Sequence, residues 1–168
     1  KGARPWVKPG TAGLEHRIGG IEKAHLTGNV SYDPENHEFM VNARQEKVMG
    51  VRKSIPTPVV HGPESGDLLV LGWGSTYGSI ADAVERAATE GHVVSRMHLR
   101  HVWPLPDGLD EIFGRFKAIL LPEINLGQMA RILRSEYPGH HFHSFPKVQG
   151  QPFRASEIAE KITGLLEN

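Results

Sequence analysis

The stretch Gly72-Trp73-Gly74-Ser75-Thr76-Tyr77-Gly78-Ser79 comes nearest to a ligand-binding loop. It links an apolar run to an amphipathic one. Glycines at such a junction let a phosphate approach backbone N–H groups at a helix N-terminus. The dinucleotide fingerprint needs glycine at its sixth position, where Tyr77 stands, and Gly78 falls one residue late. No Gly-Lys-Ser/Thr occurs, so a Walker loop is excluded. Arg96 and Arg100 on the next apolar run could hold a 2′-phosphate, which keeps an NADP-type nucleotide module using Gly72 and Gly74 as an alternative. The simpler reading is a tight turn in which Ser75 or Thr76 caps the following helix.

Four other clusters carry polar chemistry. His98, Arg100 and His101 precede Trp103-Pro104-Leu105-Pro106 at the end of a strand, where sites form in open α/β sheets. Subunit contact suits this proline-rich turn better than catalysis. Glu123 could act as a base and Asn125 as a donor, but no second titratable group lies nearby in sequence, and Asn125 equally suits a helix cap. His140-His141-Phe142-His143 looks metallic. On a strand, however, His141 and His143 share a face while His140 points away, and no nearby acid or cysteine completes a ligand set. Solvated histidines are the reading adopted, and no metal site is expected. Finally, His16-Arg17-Ile18-Gly19-Gly20 is a polar cluster in a glycine-rich loop that could touch a ligand held elsewhere.

These residues need elements to position them. From Asp67 onward, short apolar runs alternate with helical stripes. Strands are expected at Leu68–Leu71, His92–Leu99, Ala118–Leu121 and His140–Phe145. Helical stripes fall at Ile80–Ala88, Leu109–Phe113, Leu126–Leu133 and Ile158–Leu166. Continuous apolar strands between amphipathic helices predict a parallel, doubly wound α/β sheet covered on both faces. Upstream, Asp33-Pro34-Glu35-Asn36 reads as a helix start, and the spacing predicts a helix over 35–53. Residues 1–35 are glycine-rich and cannot build a core, so they read as a loop lying on something else. The organisation expected is a loop and helix over 1–55, a Pro/Gly-rich linker over 56–66, and an α/β domain over 67–168. Lys1 is read as a cut inside a longer polypeptide.

Composition bounds the function. Lys plus Arg numbers 19 and Asp plus Glu numbers 19, so the basic excess of a nucleic-acid binder is missing. No apolar run reaches the roughly 20 residues of a membrane helix. Neither nucleic acid nor membrane is expected as a partner. With no cysteine, the chain has no disulfide, thiolate nucleophile or cysteine-ligated cluster of its own. That fits a reducing cytoplasm.

An ordered set of motifs then resembles one family along nearly the whole chain. Gly13-Leu14-Glu15-His16-Arg17-Ile18-Gly19-Gly20, Gly28, Asn36-His37, Arg44 and Lys47 are similar to the α subunit of 2-oxoacid:ferredoxin oxidoreductases, the 2-oxoglutarate type above all. The likeness continues through the Gly72–Gly78 turn, Trp103–Pro106, Glu123–Gln128 and Gly150-Gln151-Pro152-Phe153. The resemblance implies an enzyme that decarboxylates a 2-oxoacid on thiamine diphosphate with Mg2+. It captures the acyl unit on coenzyme A and passes electrons through an iron–sulfur cluster to ferredoxin. It implies a transketolase C-terminal-like domain over 67–168 and the tail of a pyrimidine-binding domain over 1–55. The β subunit and a second αβ unit become the expected partners. The family's activating glutamate and substrate loop have no match here, so no catalytic, cofactor-binding or metal residue is expected in this chain. Cleft or interface candidates are His16, Arg17, Trp73, Ser75, Thr76, Tyr77, His101, Trp103, Glu123 and Asn125. The matching domain of another thiamine enzyme, such as transketolase or a pyruvate dehydrogenase β subunit, is a second enzyme reading. A ligand-free interaction domain is a third.

Overall fold

Pro56 and Pro58 break helical periodicity, and the chain divides at that point. The structure, a computed structural model, describes residues 2–17 and 19–167 and contains two units, Lys1–Ser54 and Ile55–Asn168.

The first unit has one regular element, helix α1 (Pro34–Gly50), continued by a 3-10 turn at Val51–Ser54. This is the helix expected over 35–53. Asp33 starts it by accepting the Glu35 N–H at 2.9 Å, with proline in the first turn. No residue of α1 is fully buried. Side chains of α1 tie down the preceding loop. Asn36 accepts the His25 N–H at 2.9 Å and donates to the Lys23 carbonyl at 3.0 Å. Glu22 meets His37 at 2.6 Å and Arg44 at 3.2 Å, and these partners, Arg44 foremost, hold its carboxyl below the usual glutamate range.

The second unit is a five-stranded sheet in the order β1-β3-β2-β4-β5. Its strands are β1 (Val60–His61), β2 (Gly66–Trp73), β3 (Val94–Leu99), β4 (Phe116–Glu123) and β5 (Phe142–Pro146). Strands β3, β2, β4 and β5 run parallel, and β1 pairs antiparallel with β3 through Val60–Met97 and His61–Arg96. Helices α2 (Tyr77–Thr89) and α5 (Ala155–Leu166) cover one face, where Val70, Ile80, Leu120 and Ile158 meet. Helices α3 (Leu109–Phe113) and α4 (Gln128–Glu136) cover the other, where Leu71, Phe113, Ile119 and Leu133 meet. Leu68, Leu69, Val70 and Leu71 are all at most 1% exposed, because a strand with helices on both faces has no solvent side.

The doubly wound sheet is therefore the one the apolar runs predict, with one addition. Part of the stretch expected as a linker over 56–66 is β1, an edge strand. Two residues are too few to show a period-2 pattern, so only pairing with β3 defines them as a strand.

Candidate functional site

The carboxyl ends of the parallel strands gather most of the residues singled out above. Strand β2 runs into a 3-10 turn at Gly74–Thr76 and then directly into α2. Thr76 is buried, and its Oγ1 donates to the Trp73 carbonyl at 2.9 Å and accepts the Trp73 N–H at 3.2 Å. This corrects the capping expectation. Thr76 stands at the N-cap of α2, but its hydroxyl turns back to close the 3-10 turn. Ser75 is exposed and makes no cap either. Gly72 is needed for close strand–helix approach, since a Cβ there would lie 2.5 Å from Ile80 Cδ1. That packing role accounts for Gly72 without any bound nucleotide. Trp73 packs half-buried on the α3/α4 side of the core, with its indole Nε1 enclosed and unpaired.

Tyr77 opens α2 and meets the end of β3. Its ring stands edge-on to His98, with centroids 5.2 Å apart, and the Arg96 guanidinium lies 5.4 Å from its centroid. Burial, then Arg100 and Arg96, pushes the His98 imidazole below its ordinary pKa. Tyr77, His98, Arg100 and His101 line one pocket of about 380 Å³, walled by Pro56, Pro58, Val59 and Pro106. His61 of β1 also reaches it. Trp103 is 48% exposed and is not among the lining residues; its bond to Pro104 is cis.

Glu123 and Asn125 belong to a different assembly, at the end of β4. Glu123 is 1% exposed, and its Oε1 and Oε2 accept the Met129 and Ala130 N–H groups at 2.8 and 3.1 Å. Asn125 Oδ1 accepts from Gly127 N–H at 2.8 Å and Gln128 N–H at 2.9 Å. Between them the two side chains take the free donors at the start of α4. Both carboxylate oxygens of Glu123 are thus engaged, which argues against the base considered from sequence.

The histidine run is also resolved into separate roles. His140 is half-buried, edge-on to Phe113 and Phe142, and joined to Asp110 at 2.8 Å. One acid does reach the run, because α3 brings Asp110 to His140 from 30 residues away in sequence. His141 and His143 are exposed. Among the described residues, no three His, Cys, Asp or Glu side chains converge on a metal position.

His16 and Arg17 lie in the first unit. His16 holds the Leu14 carbonyl at 3.0 Å and lines an open cleft of about 920 Å³ with Arg4, Trp6, Lys23 and Arg44, whereas Arg17 is exposed outside it. Ile18 of the same segment lies outside the described residues.

One well-built cluster had no sequence signal. Lys147, just past β5, is 9% exposed and donates to Glu157 Oε2 at 2.7 Å, to Glu157 Oε1 at 2.8 Å and to the Pro152 carbonyl at 3.0 Å. Glu157 also accepts the Arg154 N–H at 2.7 Å. Lys147 first, and that N–H second, lower its pKa below the usual glutamate value. The Gly150–Phe153 loop is thereby locked to the start of α5, and Ser79 of α2 holds the Phe153 carbonyl at 2.8 Å.

No family model matches the chain. It is 44% identical over 165 residues to the 2-oxoglutarate oxidoreductase subunit KorA of Mycobacterium tuberculosis, a match covering 98% of this chain and 25% of that protein. It is 29% identical over 171 residues to 2-oxoacid:ferredoxin oxidoreductase 2 subunit alpha of Aeropyrum pernix, covering 99% of this chain and 26% of that one. The backbone superposes on a 2-oxoglutarate:ferredoxin oxidoreductase from Magnetococcus marinus, solved with 2-oxoglutarate, coenzyme A and succinyl-CoA bound. The TM-score is 0.82 at 30% identity, over 96% of this chain and 28% of that one. The chain is a relative of the 2-oxoacid:ferredoxin oxidoreductase α subunits. It spans about a quarter of the length of the curated relatives above. A split-gene transketolase matches 66% of this chain and 41% of its own at a TM-score of 0.53 and 14% identity, which shows that the transketolase-like fold is shared with this α-subunit relative.

Proposed function

We propose that this chain is the C-terminal part of the α subunit of a 2-oxoglutarate:ferredoxin oxidoreductase, with subunit assembly as its own role. The carrying observation is the 44% identity to a KorA subunit along 98% of the chain. The whole enzyme would convert a 2-oxoacid and coenzyme A to acyl-CoA, CO2 and reduced ferredoxin in the cytoplasm. Thiamine diphosphate with Mg2+ and an iron–sulfur cluster would supply the decarboxylation and electron-transfer chemistry. The 168 residues contain no cysteine, so thiolate ligands for a cluster come from elsewhere in the assembly. Glu123, the carboxylate at the end of β4, is engaged by backbone N–H groups.

The assembly role is supported by what the first unit leaves uncovered. Trp6 is 99% exposed, Ile21 102% and Tyr32 84%, and α1 buries nothing. Large apolar side chains left this exposed are ones that a partner subunit would cover. The β subunit and a second αβ unit are the partners proposed. The domain reading goes with it, with 1–55 as the tail of a pyrimidine-binding domain and 67–168 as the transketolase-like domain. Trp73, Ser75, Thr76, Tyr77, His101 and Trp103 are proposed contact residues in the second unit, and His16 and Arg17 in the first. Titrating the chain with purified β subunit should raise its melting temperature. A partner at 100 times its Kd adds about 2.7 kcal/mol of apparent stability. An unchanged melting temperature at saturating β subunit sinks the assembly role.

A further inference from the structure

Basic side chains gather in the pocket at the end of β3. Arg100, His98, His101 and His61 line it, and no carboxylate does. Among the described residues, neither Arg100 nor Arg96 has an ion-pair partner. Arg96 reaches the ring of Tyr77, another lining residue, rather than an acid. Pro56, Thr57, Pro58, Val59 and Pro106 complete the lining with Tyr77, and all but Thr57 and Tyr77 are apolar. A cavity of about 380 Å³ falls in the range of small-molecule sites. A guanidinium, imidazoles and proline rings in one lining suit a ligand that carries both an anionic group and an apolar ring.

We propose that this pocket binds a nucleotide-sized phosphorylated ligand, its phosphoryl group on Arg100 and the histidines and its ring on the prolines and Tyr77. A guanidinium grips phosphate oxygens in a two-point geometry that lysine cannot supply. Burial first, and then Arg100 and Arg96, hold the His98 imidazole below its ordinary pKa, and a bound phosphate would offset the charge of the two arginines. The site is separate from the glycine turn considered from sequence: Gly72 and Gly74 do not line it. Every lining residue lies within the second unit, and two of them, Tyr77 and His101, are also among the contact residues proposed above.

The test is calorimetric titration of the full-length protein that contains this chain with ADP, inorganic pyrophosphate and adenosine. ADP should bind saturably, pyrophosphate more weakly and adenosine not measurably. Arg100→Gln should weaken ADP about tenfold or more, since a charge-assisted contact is lost. Arg86→Gln, which removes an exposed pair on α2 outside the pocket, should leave it unchanged. Hydrogen exchange should slow over residues 98–101 when ADP is added. Three results would overturn the proposal: no saturable heat with ADP, ADP binding that Arg100→Gln leaves intact, or adenosine binding as well as ADP. An unchanged thermal midpoint in Arg100→Gln shows that lost binding is not lost folding. Failure of this test leaves the stabilisation by β subunit untouched, so the two readings fall separately.

Discussion

A carboxylate enclosed in protein is stable only where donors replace its water. Glu123 meets that condition with two backbone N–H groups from the first turn of α4, where the helix dipole also favours a negative group. Glu123→Ala strands both donors in a buried position. It should destabilise the second unit by roughly 2 kcal/mol, read as a lower denaturation midpoint with an unchanged slope. Glu123→Gln keeps one acceptor and should lie between wild type and alanine. The residue types at 123 and 125 are those of an acid–base pair, and sequence alone leaves that role open. The bond geometry turns both into helix-starting groups.

At the level of elements, the loop between β5 and α5 depends on one ion pair. Glu157 titrates below the ordinary glutamate range because Lys147 and the Arg154 N–H favour its charged form. A carboxyl with a depressed folded-state pKa stabilises the fold above its unfolded-state pKa, roughly 4.3. That contribution is lost as pH falls through the lower folded value. Glu157→Gln should therefore melt below wild type at pH 6–7, and the gap should narrow as pH drops below about 4. A gap constant with pH, measured by thermal melts across that range, would remove the ion pair as its cause. The seating of the parallel strands is more robust, because each buries apolar side chains on two faces. Edge strand β1 is the contrast: its two residues pair with β3 on one edge and pack only Val60 against the core.

Across the whole molecule, the two units differ in what holds them. The second encloses Phe113, Ile119, Leu120, Leu133 and Ile158 at 0% exposure, while the first fully buries no residue of its helix. Amides of β2 and β4 should then exchange with solvent at least ~100-fold more slowly than those of α1 in the isolated chain, by hydrogen exchange. Comparable protection in α1 would mean that the first unit is stabilised from within. The α/β class was legible in the order of apolar runs and helical stripes, because period and length are local properties of the chain. The family was legible in ordered motifs such as Gly13–Gly20 and Glu123–Gln128, whose similarity to KorA subunits extends along the chain. Side-chain pairing was not legible. Asp110 with His140, Lys147 with Glu157, and Tyr77 with His98 are joined by turns and strand register, so their meeting depends on where the backbone returns. The same holds for His61, which sequence places in a linker and the sheet brings to the β3 pocket. Sequence by itself determined the kind of fold and its relatives, because both reside in local patterns along the chain. Which charges meet, and which remain unpaired around a cavity, only the tertiary structure decided, because electrostatic contact depends on distance in space rather than on separation along the chain.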